Sequence, residues 1–119
     1  MLKITLQEDA EARTVVLEGI LSGPWVDELE RTWLTLVGKH FDGPVVVDLS
    51  GVTFVDPEGK KVLGWIYEEG ADLCGSDVMN KAIIEEIEQK HEAARRAFQW
   101  FHRHRNHGAR VAGARRGSL

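Results

Sequence analysis

A run of β-branched residues that ends in a helix-start sequence constrains the fold of this chain more than any other feature. Residues 45–59 are VVVDLSGVTFVDPEG. The three valines do not alternate with polar residues, which predicts a strand inside a sheet that is covered on both faces. Asp56 suits an N-cap, Pro57 the first helical position, and Glu58 the positive end of the helix dipole. The sequence therefore predicts a buried strand that leads directly into a helix.

The rest of the chain alternates strand and helix patterns around this corner. The periodic segments are strands over 3–7 and 14–17, a helix from 24 to about 39, a strand over 45–49, a helix over 57–70, a strand over 71–74 and a helix opened by Asp77. Parallel strands need crossover helices, so this order predicts an α/β fold. We expect a small mixed sheet of about four strands, helices packed mainly on one face, and a long C-terminal helix.

Charge is distributed unevenly along the chain. Residues 1–92 contain 19 acidic and 8 basic residues, a net charge of −11, whereas residues 93–119 contain seven arginines and no acid, a net charge of +7. We therefore expect one acidic folded domain over 1–92 and a basic, aromatic extension over 93–119 that is disordered from Gly108. The acidic domain would repel phosphates, which argues against a nucleic-acid partner.

Several classes of protein are disfavoured by what the sequence lacks. No apolar stretch approaches the ~18 residues of a membrane span, and the N-terminus lacks the apolar region of a signal peptide, so we expect a cytoplasmic protein without membrane insertion. The single cysteine, Cys74, is expected to be a small buried residue. No serine has a nucleophile setting and no glycine loop has the spacing for phosphate, so we expect neither catalysis nor a cofactor. His104 and His107 share a helical face without a carboxylate or cysteine, so no metal site is expected.

Residues 15–87 resemble the STAS domain, which occurs in anti-sigma-factor antagonists and in the C-terminal parts of sulfate transporters. In that family a strand ending in Asp-Leu leads through an apolar segment to Asp-Ser-Ser-Gly, which opens a helix. The positions that fall on this pattern are Asp48, Leu49, Phe54, Asp56 and Gly59. The resemblance implies a non-catalytic protein-interaction domain of bacterial transcription regulation, whose partner is a kinase that is also an anti-sigma factor.

The resemblance also implies a lost switch. In the antagonists, the second serine of the turn is phosphorylated by the partner kinase, and phosphorylation prevents binding. Here Pro57 and Glu58 replace the two serines, so no phosphorylation is expected at Glu58. Glu58 either imitates a phosphate, with about half its charge, or only starts the helix. The partner-binding residues that the resemblance implies are Ser22, Asp56, Pro57, Glu58, Gly59 and Lys60.

The C-terminal helix departs from the family, which usually continues with a helix, a strand and a final helix. No strand pattern follows Ile87, and a long apolar face runs from Met79 to Phe101. We expect the stripe over Met79, Ile83 and Ile87 to be partly exposed and to form a homodimer contact. Arg95, Arg96 and Arg103 would then approach the acidic domain of the other copy. The alternative is that the helix folds back on its own sheet.

Two other function classes stay open. One is a small-ligand module that binds a nucleotide or anion at the helix start, against which the negative charge of Glu58 argues. The other is an accessory subunit of a membrane transport complex.

Overall fold

The chain folds into strands and helices in the predicted order. The computed structural model describes residues 1–9, 11–37 and 43–118, with side chains as far as residue 103 except those of Val37 and His102. In these ranges the elements are β1 (Leu2–Glu8), β2 (Arg13–Leu21), α1 (Pro24–Val37), β3 (Val45–Val55), α2 (Pro57–Glu68), β4 (Asp72–Cys74) and α3 (Val78–Ser118). The predicted continuation of the first helix to Lys39 lies outside the described residues.

The four strands form one mixed sheet in the order β1-β2-β3-β4. β1 pairs antiparallel with β2, as the predicted hairpin requires, whereas β2–β3 and β3–β4 are parallel. The valine run therefore lies in an internal strand, and the predicted fold class is confirmed. Because the parallel strands are adjacent and consecutive, α1 and α2 are their crossover connections.

All three helices contribute to one core on one face of the sheet. Its fully buried apolar side chains are Leu17 and Leu21 of β2, Leu29 of α1, Val47, Leu49 and Val52 of β3, and Leu63 and Ile66 of α2. Burying each of these side chains contributes about 1.5–3 kcal/mol to folding. The apolar face of α1 that the sequence predicts also includes the buried Trp33.

The opposite face of the sheet is not covered by any described element, so the prediction of cover on both faces is wrong. Val46 on this face is half-buried, and Ile20 and Phe54 are 40% and 51% exposed there. From β2 to β4 the chain steps across the sheet in one direction. Crossovers of one handedness then place every crossover helix on the same face. A run of valines does not indicate how many faces of the sheet are covered, because that depends on the direction in which successive strands are added to the sheet.

Cys74 is exposed, which corrects the expectation of a buried cysteine. β4 alternates, so Leu73 is buried under the helices and its neighbour Cys74 faces the uncovered side. The helices across the described residues contain no stretch that is apolar and long enough to cross a bilayer.

The start of α3 is anchored to the middle of the sheet. As predicted, Asp77 opens this helix, and its Oδ1 accepts a hydrogen bond from the backbone N–H of Asn80 at 2.7 Å. The Asn80 side chain is fully buried and donates to the carbonyl of Leu49 at 2.6 Å. That carbonyl lies next to a bulge in β3, where the register with β2 shifts. Asn80 thus satisfies a backbone group that the bulge leaves outside the ladder.

The first part of α3, residues 78–95, folds back against α2. Ile83 and Ile87 are buried there, so the expectation that their stripe is partly exposed is wrong, although Met79 is 39% exposed. Polar contacts reinforce the packing. They join His91 to Glu68, the Tyr67 hydroxyl to Glu92, and Arg95 to the end of α2.

The distal part of α3, residues 96–118, continues beyond these contacts. Trp100 and Phe101 are each 61% exposed. The helix runs for 41 residues, longer than the sequence pattern indicates. Disorder from Gly108 stays a prediction, because the side chains of that segment lie outside the described residues.

Candidate functional site

The Asp56 carboxylate joins the starts of two helices at one corner of the domain. Its Oδ1 accepts a hydrogen bond from the backbone N–H of Gly59 at 2.6 Å, and its Oδ2 accepts one from the N–H of Gly23 at 3.2 Å. The Asp56 N–H donates to the Leu21 carbonyl at 3.1 Å. Asp56 has extended backbone angles and is the N-cap of α2, so the predicted cap is confirmed. The contact with Gly23 extends its role to the turn that opens α1.

Parallel strand pairing produces this meeting point. β2 and β3 run in the same direction, so both end at the same edge of the sheet, and each is followed by a helix with proline at its first position. The N-termini of α1 and α2, at Pro24 and Pro57, therefore lie side by side, and each has free backbone amide groups and a positive partial charge. A single carboxylate between them accepts a hydrogen bond from an amide of each segment.

Gly59 allows α2 to lie close to the end of β2. Gly59 is buried, and a Cβ atom at this position would come 2.9 Å from the carbonyl oxygen of Leu21 and 3.0 Å from Cγ1 of Val55. Both distances are too short for a side chain without movement of the strand ends. Among the residues that the resemblance implies for partner binding, Gly59 therefore contacts its own fold and positions its neighbours.

The surface of the corner consists of Pro57 and Glu58, which are both exposed. Glu58 forms an ion pair with Lys61 at 3.2 Å, and Lys60 reaches Glu86 on α3 at 3.3 Å. Ion pairs between such exposed side chains contribute only about 0–1 kcal/mol to stability, so their main effect is on the local surface charge. Ser22 is half-buried behind this surface, in the turn that Asp56 holds.

A groove of about 220 Å³ lies beside the corner, between α2 and α3. Its charged lining includes Lys60, Lys61 and Lys90, with Glu86 among them. The groove is therefore a locally basic surface on a domain whose net charge is strongly negative. Neither Lys61 nor Lys90 was predicted from the sequence to be a site residue. Lys90 belongs to another helix, and only the packing of α3 on α2 brings it to the corner.

Asp48 does not lie at the corner with Asp56, although both belong to the stretch of residues 45–59. Asp48 lies within β3 opposite Cys74 of β4, on the uncovered face. Hydrogen bonds from the side chain and the backbone N–H of Ser50 hold the pKa of Asp48 below its usual value. Partial burial and the neighbouring Asp48 carboxylate raise the pKa of the Cys74 thiol. At neutral pH this pair is a carboxylate beside a protonated thiol, which is a poor nucleophile.

Among the described residues, no group of three or more His, Cys, Asp or Glu side chains is placed to hold a metal ion. The side chains of His104 and His107 lie outside the described residues. The expectation that they bind no metal therefore stays a prediction.

No family model and no curated protein matches this chain.

Proposed function

We propose that this chain is a STAS-type interaction domain, related to the anti-sigma-factor antagonists, that regulates a protein partner by binding. The observation that carries the proposal is the corner at Asp56. One partly buried carboxylate holds two helix starts and leaves Pro57 and Glu58 exposed beside a basic groove. The resemblance of residues 15–87 and the mixed sheet with helices on one face support the same assignment. A cytoplasmic location belongs to this proposal.

The proposed domain binds its partner without control by phosphorylation at the corner. Pro57 and Glu58 carry no hydroxyl group that a kinase could modify. A phosphate would bring a charge of about −1.5 to −2, whereas Glu58 brings −1 and has Lys61 at 3.2 Å. The corner therefore resembles the unmodified antagonist, which is the form that binds in the family. Glu58 acts here as a helix-start residue and not as a phosphate imitation.

The proposed partner is an anti-sigma factor of the kinase type, encoded near the gene for this chain. The proposal also includes a homodimer through the C-terminal helix, which the exposure of Trp100 and Phe101 supports. The genomic neighbourhood is the first observation to make. A neighbouring gene for a kinase-type anti-sigma factor favours this partner, and transporter genes favour the accessory subunit.

Calorimetric titration of the native chain against such an anti-sigma factor tests the binding surface. Glu58→Lys should weaken binding by about ten-fold or more, because it reverses the charge at the exposed corner. Glu30→Lys makes the same change in net charge at an exposed position of α1, and it should change affinity by less than about two-fold. Equal effects of the two substitutions would place the partner elsewhere. No measurable binding by the native chain would refute the proposal.

The lost switch has its own experiment. Incubation of the Glu58→Ser chain with the kinase and ATP should add one phosphate at the introduced hydroxyl, seen by mass spectrometry, and should abolish binding. The native chain under the same conditions should acquire none. Kinase-dependent phosphate on Ser50 or Thr53 of the native chain would contradict the loss of control.

The basic groove favours a second candidate, an anion-binding module. Lys60 and Lys61 of α2 and Lys90 of α3 line it, although Glu86 and Glu58 already pair with two of the three lysines. Titration with ATP and with inorganic phosphate separates this candidate from the first. Saturable binding that Lys90→Ala removes would favour the anion module.

A further inference from the structure

The uncovered face of the sheet, here called the open face, carries an apolar patch with an acidic neighbour. Ile20 of β2 and Phe54 of β3 are register partners, 40% and 51% exposed. Val16 pairs in register with Asp48, which pairs in turn with Cys74. All the described helices pack on the other face. An exposed patch of this kind on a small domain marks an interaction surface.

The distal part of α3 is basic and aromatic, which complements the acidic and partly apolar open face. Trp100 and Phe101 are each 61% exposed, and Arg103 beside them is exposed. Residues 93–119 contain seven arginines and no acidic residue, whereas residues 1–92 carry a net charge of −11. Aromatic and arginine side chains are the types most enriched at protein interfaces. The distal helix therefore suits an acidic, partly apolar surface such as the one that this same chain exposes.

The direction of α3 decides which copy it can reach. Its start contacts the Leu49 and Val52 carbonyls in the middle of β3, and Arg95 contacts Asp72 at the start of β4. The helix therefore runs antiparallel to these strands and continues past the edge at which they begin. At 1.5 Å per residue, the 23 residues after Arg95 extend about 35 Å. An unbroken helix on the covered side cannot turn around the edge, so the open face of its own domain is out of reach.

We propose that two copies of this chain associate end to end about a two-fold axis, with the distal part of each α3 lying across the open face of the other copy. The axis lies in the plane of the sheets, so the two sheets form one layer, and the covered face of one copy is on the same side of this layer as the open face of the other. Each helix that leaves the covered side of one domain then meets the open face of the other. Both contacts are identical, as a closed dimer requires. The inference rests on the homodimer part of the proposed function and is independent of the anti-sigma partner.

In this dimer Trp100 and Phe101 cover the part of the open face nearest the strand starts, around Val46 and Cys74. Arg103 approaches the Asp48 carboxylate. The attraction between a basic helix and an acidic domain weakens with salt. The contact also buries the thiol of Cys74, which is the single cysteine of the chain and exposed in the lone domain.

Sedimentation equilibrium of the full chain tests the association. We expect twice the 13.4 kDa chain mass, with dissociation favoured as NaCl rises from about 0.05 M to about 0.5 M. The paired substitution Trp100→Ala and Phe101→Ala should weaken the dimer by about ten-fold or more, and so should Val46→Ser on the part of the open face that they cover. Leu34→Ser makes the same kind of apolar-to-polar change at an exposed position of α1 and should change the dissociation constant by less than about two-fold.

Alkylation of Cys74 by iodoacetamide tests where the helix docks. The rate should fall as the protein concentration rises through the dissociation constant, and it should not depend on concentration in the Trp100→Ala, Phe101→Ala chain. A dimer whose Cys74 reacts at the monomer rate, and which Val46→Ser leaves unchanged, would overturn the docking site while leaving the homodimer intact. A single-chain mass at all concentrations and at low salt would overturn both. Circular dichroism of each variant confirms that the domain is folded.

Discussion

The two ends of α2 are held by contacts of different origin. At its start the cap is Asp56, whose carboxylate accepts a hydrogen bond at 2.6 Å from the N–H of Gly59, three residues further along the chain. At its end Arg95, which belongs to α3, donates to the carbonyls of Gly70 and Ala71 at 3.3 and 3.0 Å. The start is stabilised from within and stays exposed, so a partner can reach it. The end is covered by the chain's own C-terminal helix and is closed to a partner.

A glycine serves each end for a different reason. Gly59 has no room for a side chain, because its Cα faces the end of β2. Gly70 has open space around it but a φ of +109°, which side-chain-bearing residues rarely adopt. There the N–H of Ala71 bonds to the carbonyl of Ile66, and the N–H of Gly70 bonds to that of Tyr67, which is a Schellman ending. Packing requires the first glycine, and backbone geometry requires the second.

Removing the tertiary cap should have the largest effect on stability. Arg95→Ala should lower the free energy of unfolding by about 2 kcal/mol, because the carbonyls of Gly70 and Ala71, in the turn that follows α2, lose charged donors and the contact over the Tyr67 ring is lost. The arginine side chain is only 13% exposed. Urea unfolding measures the loss. Arg31→Ala, at an exposed ion pair of α1, is the control and should change it by about 0.5 kcal/mol or less. Equal losses would show that Arg95 is only a surface residue.

A backbone change at the same end should cost somewhat less. Gly70→Ala should lower the free energy of unfolding by about 1–2 kcal/mol, because the positive φ strains any residue with a Cβ. Gly70→Asn should cost less, since asparagine tolerates positive φ better than alanine does. Thermal unfolding of the two variants compares them. A stable Gly70→Ala chain would mean that the helix end can rearrange.

Removing the local cap should cost about 1 kcal/mol. Asp56→Ala leaves the N–H of Gly59 without its acceptor, whereas Asp56→Asn keeps an oxygen there and should retain most of the stability. Glu58→Ala is the exposed control. An unchanged unfolding midpoint for Asp56→Ala would show that the aspartate is not needed as a cap. Unchanged stability with lost partner binding would make Asp56 a residue of the interface.

The smallest expected effect depends on pH. The hydrogen bond from Tyr67, and after it the charges of Arg96 and Arg95, hold the pKa of Glu92 below its ordinary 4.5. A carboxylate with a lowered folded-state pKa stabilises the fold above the unfolded-state value, and this contribution is lost as pH falls through the folded-state value. The native chain should therefore be more stable than Glu92→Gln at neutral pH. Urea unfolding should show the difference shrinking below pH 4.5.

A constant difference between the native chain and Glu92→Gln at every pH would contradict this assignment. Tyr67→Phe is the matched variant, because it removes the hydrogen bond that contributes most to the lowered pKa of Glu92. In this variant the stability should depend less on pH over the same acidic range.

Sequence reasoning predicted the parts of the site whose partners are close in the chain. Asp56, Pro57 and Gly70 are recognisable because a cap or a helix end involves residues three to five positions apart. It did not find Lys90 in the basic groove or Arg95 at the end of α2. It assigned Arg95 instead to a neighbouring copy. Periodicity shows that these residues lie on one helix but not which surface that helix meets.

The sequence by itself determined the order of strands and helices, the N-cap of α2 at Asp56 and the glycine that follows its end at Gly70, because hydrogen bonds within a few residues decide these features. The tertiary structure alone decided which face of the sheet is covered. That choice depends on the handedness and direction of two successive crossovers, which involve the whole chain from β2 to β4. It left Cys74 and Phe54 exposed and buried Ile83 and Ile87. The same amino acids would be equally apolar under either arrangement, so composition and periodicity could not distinguish them.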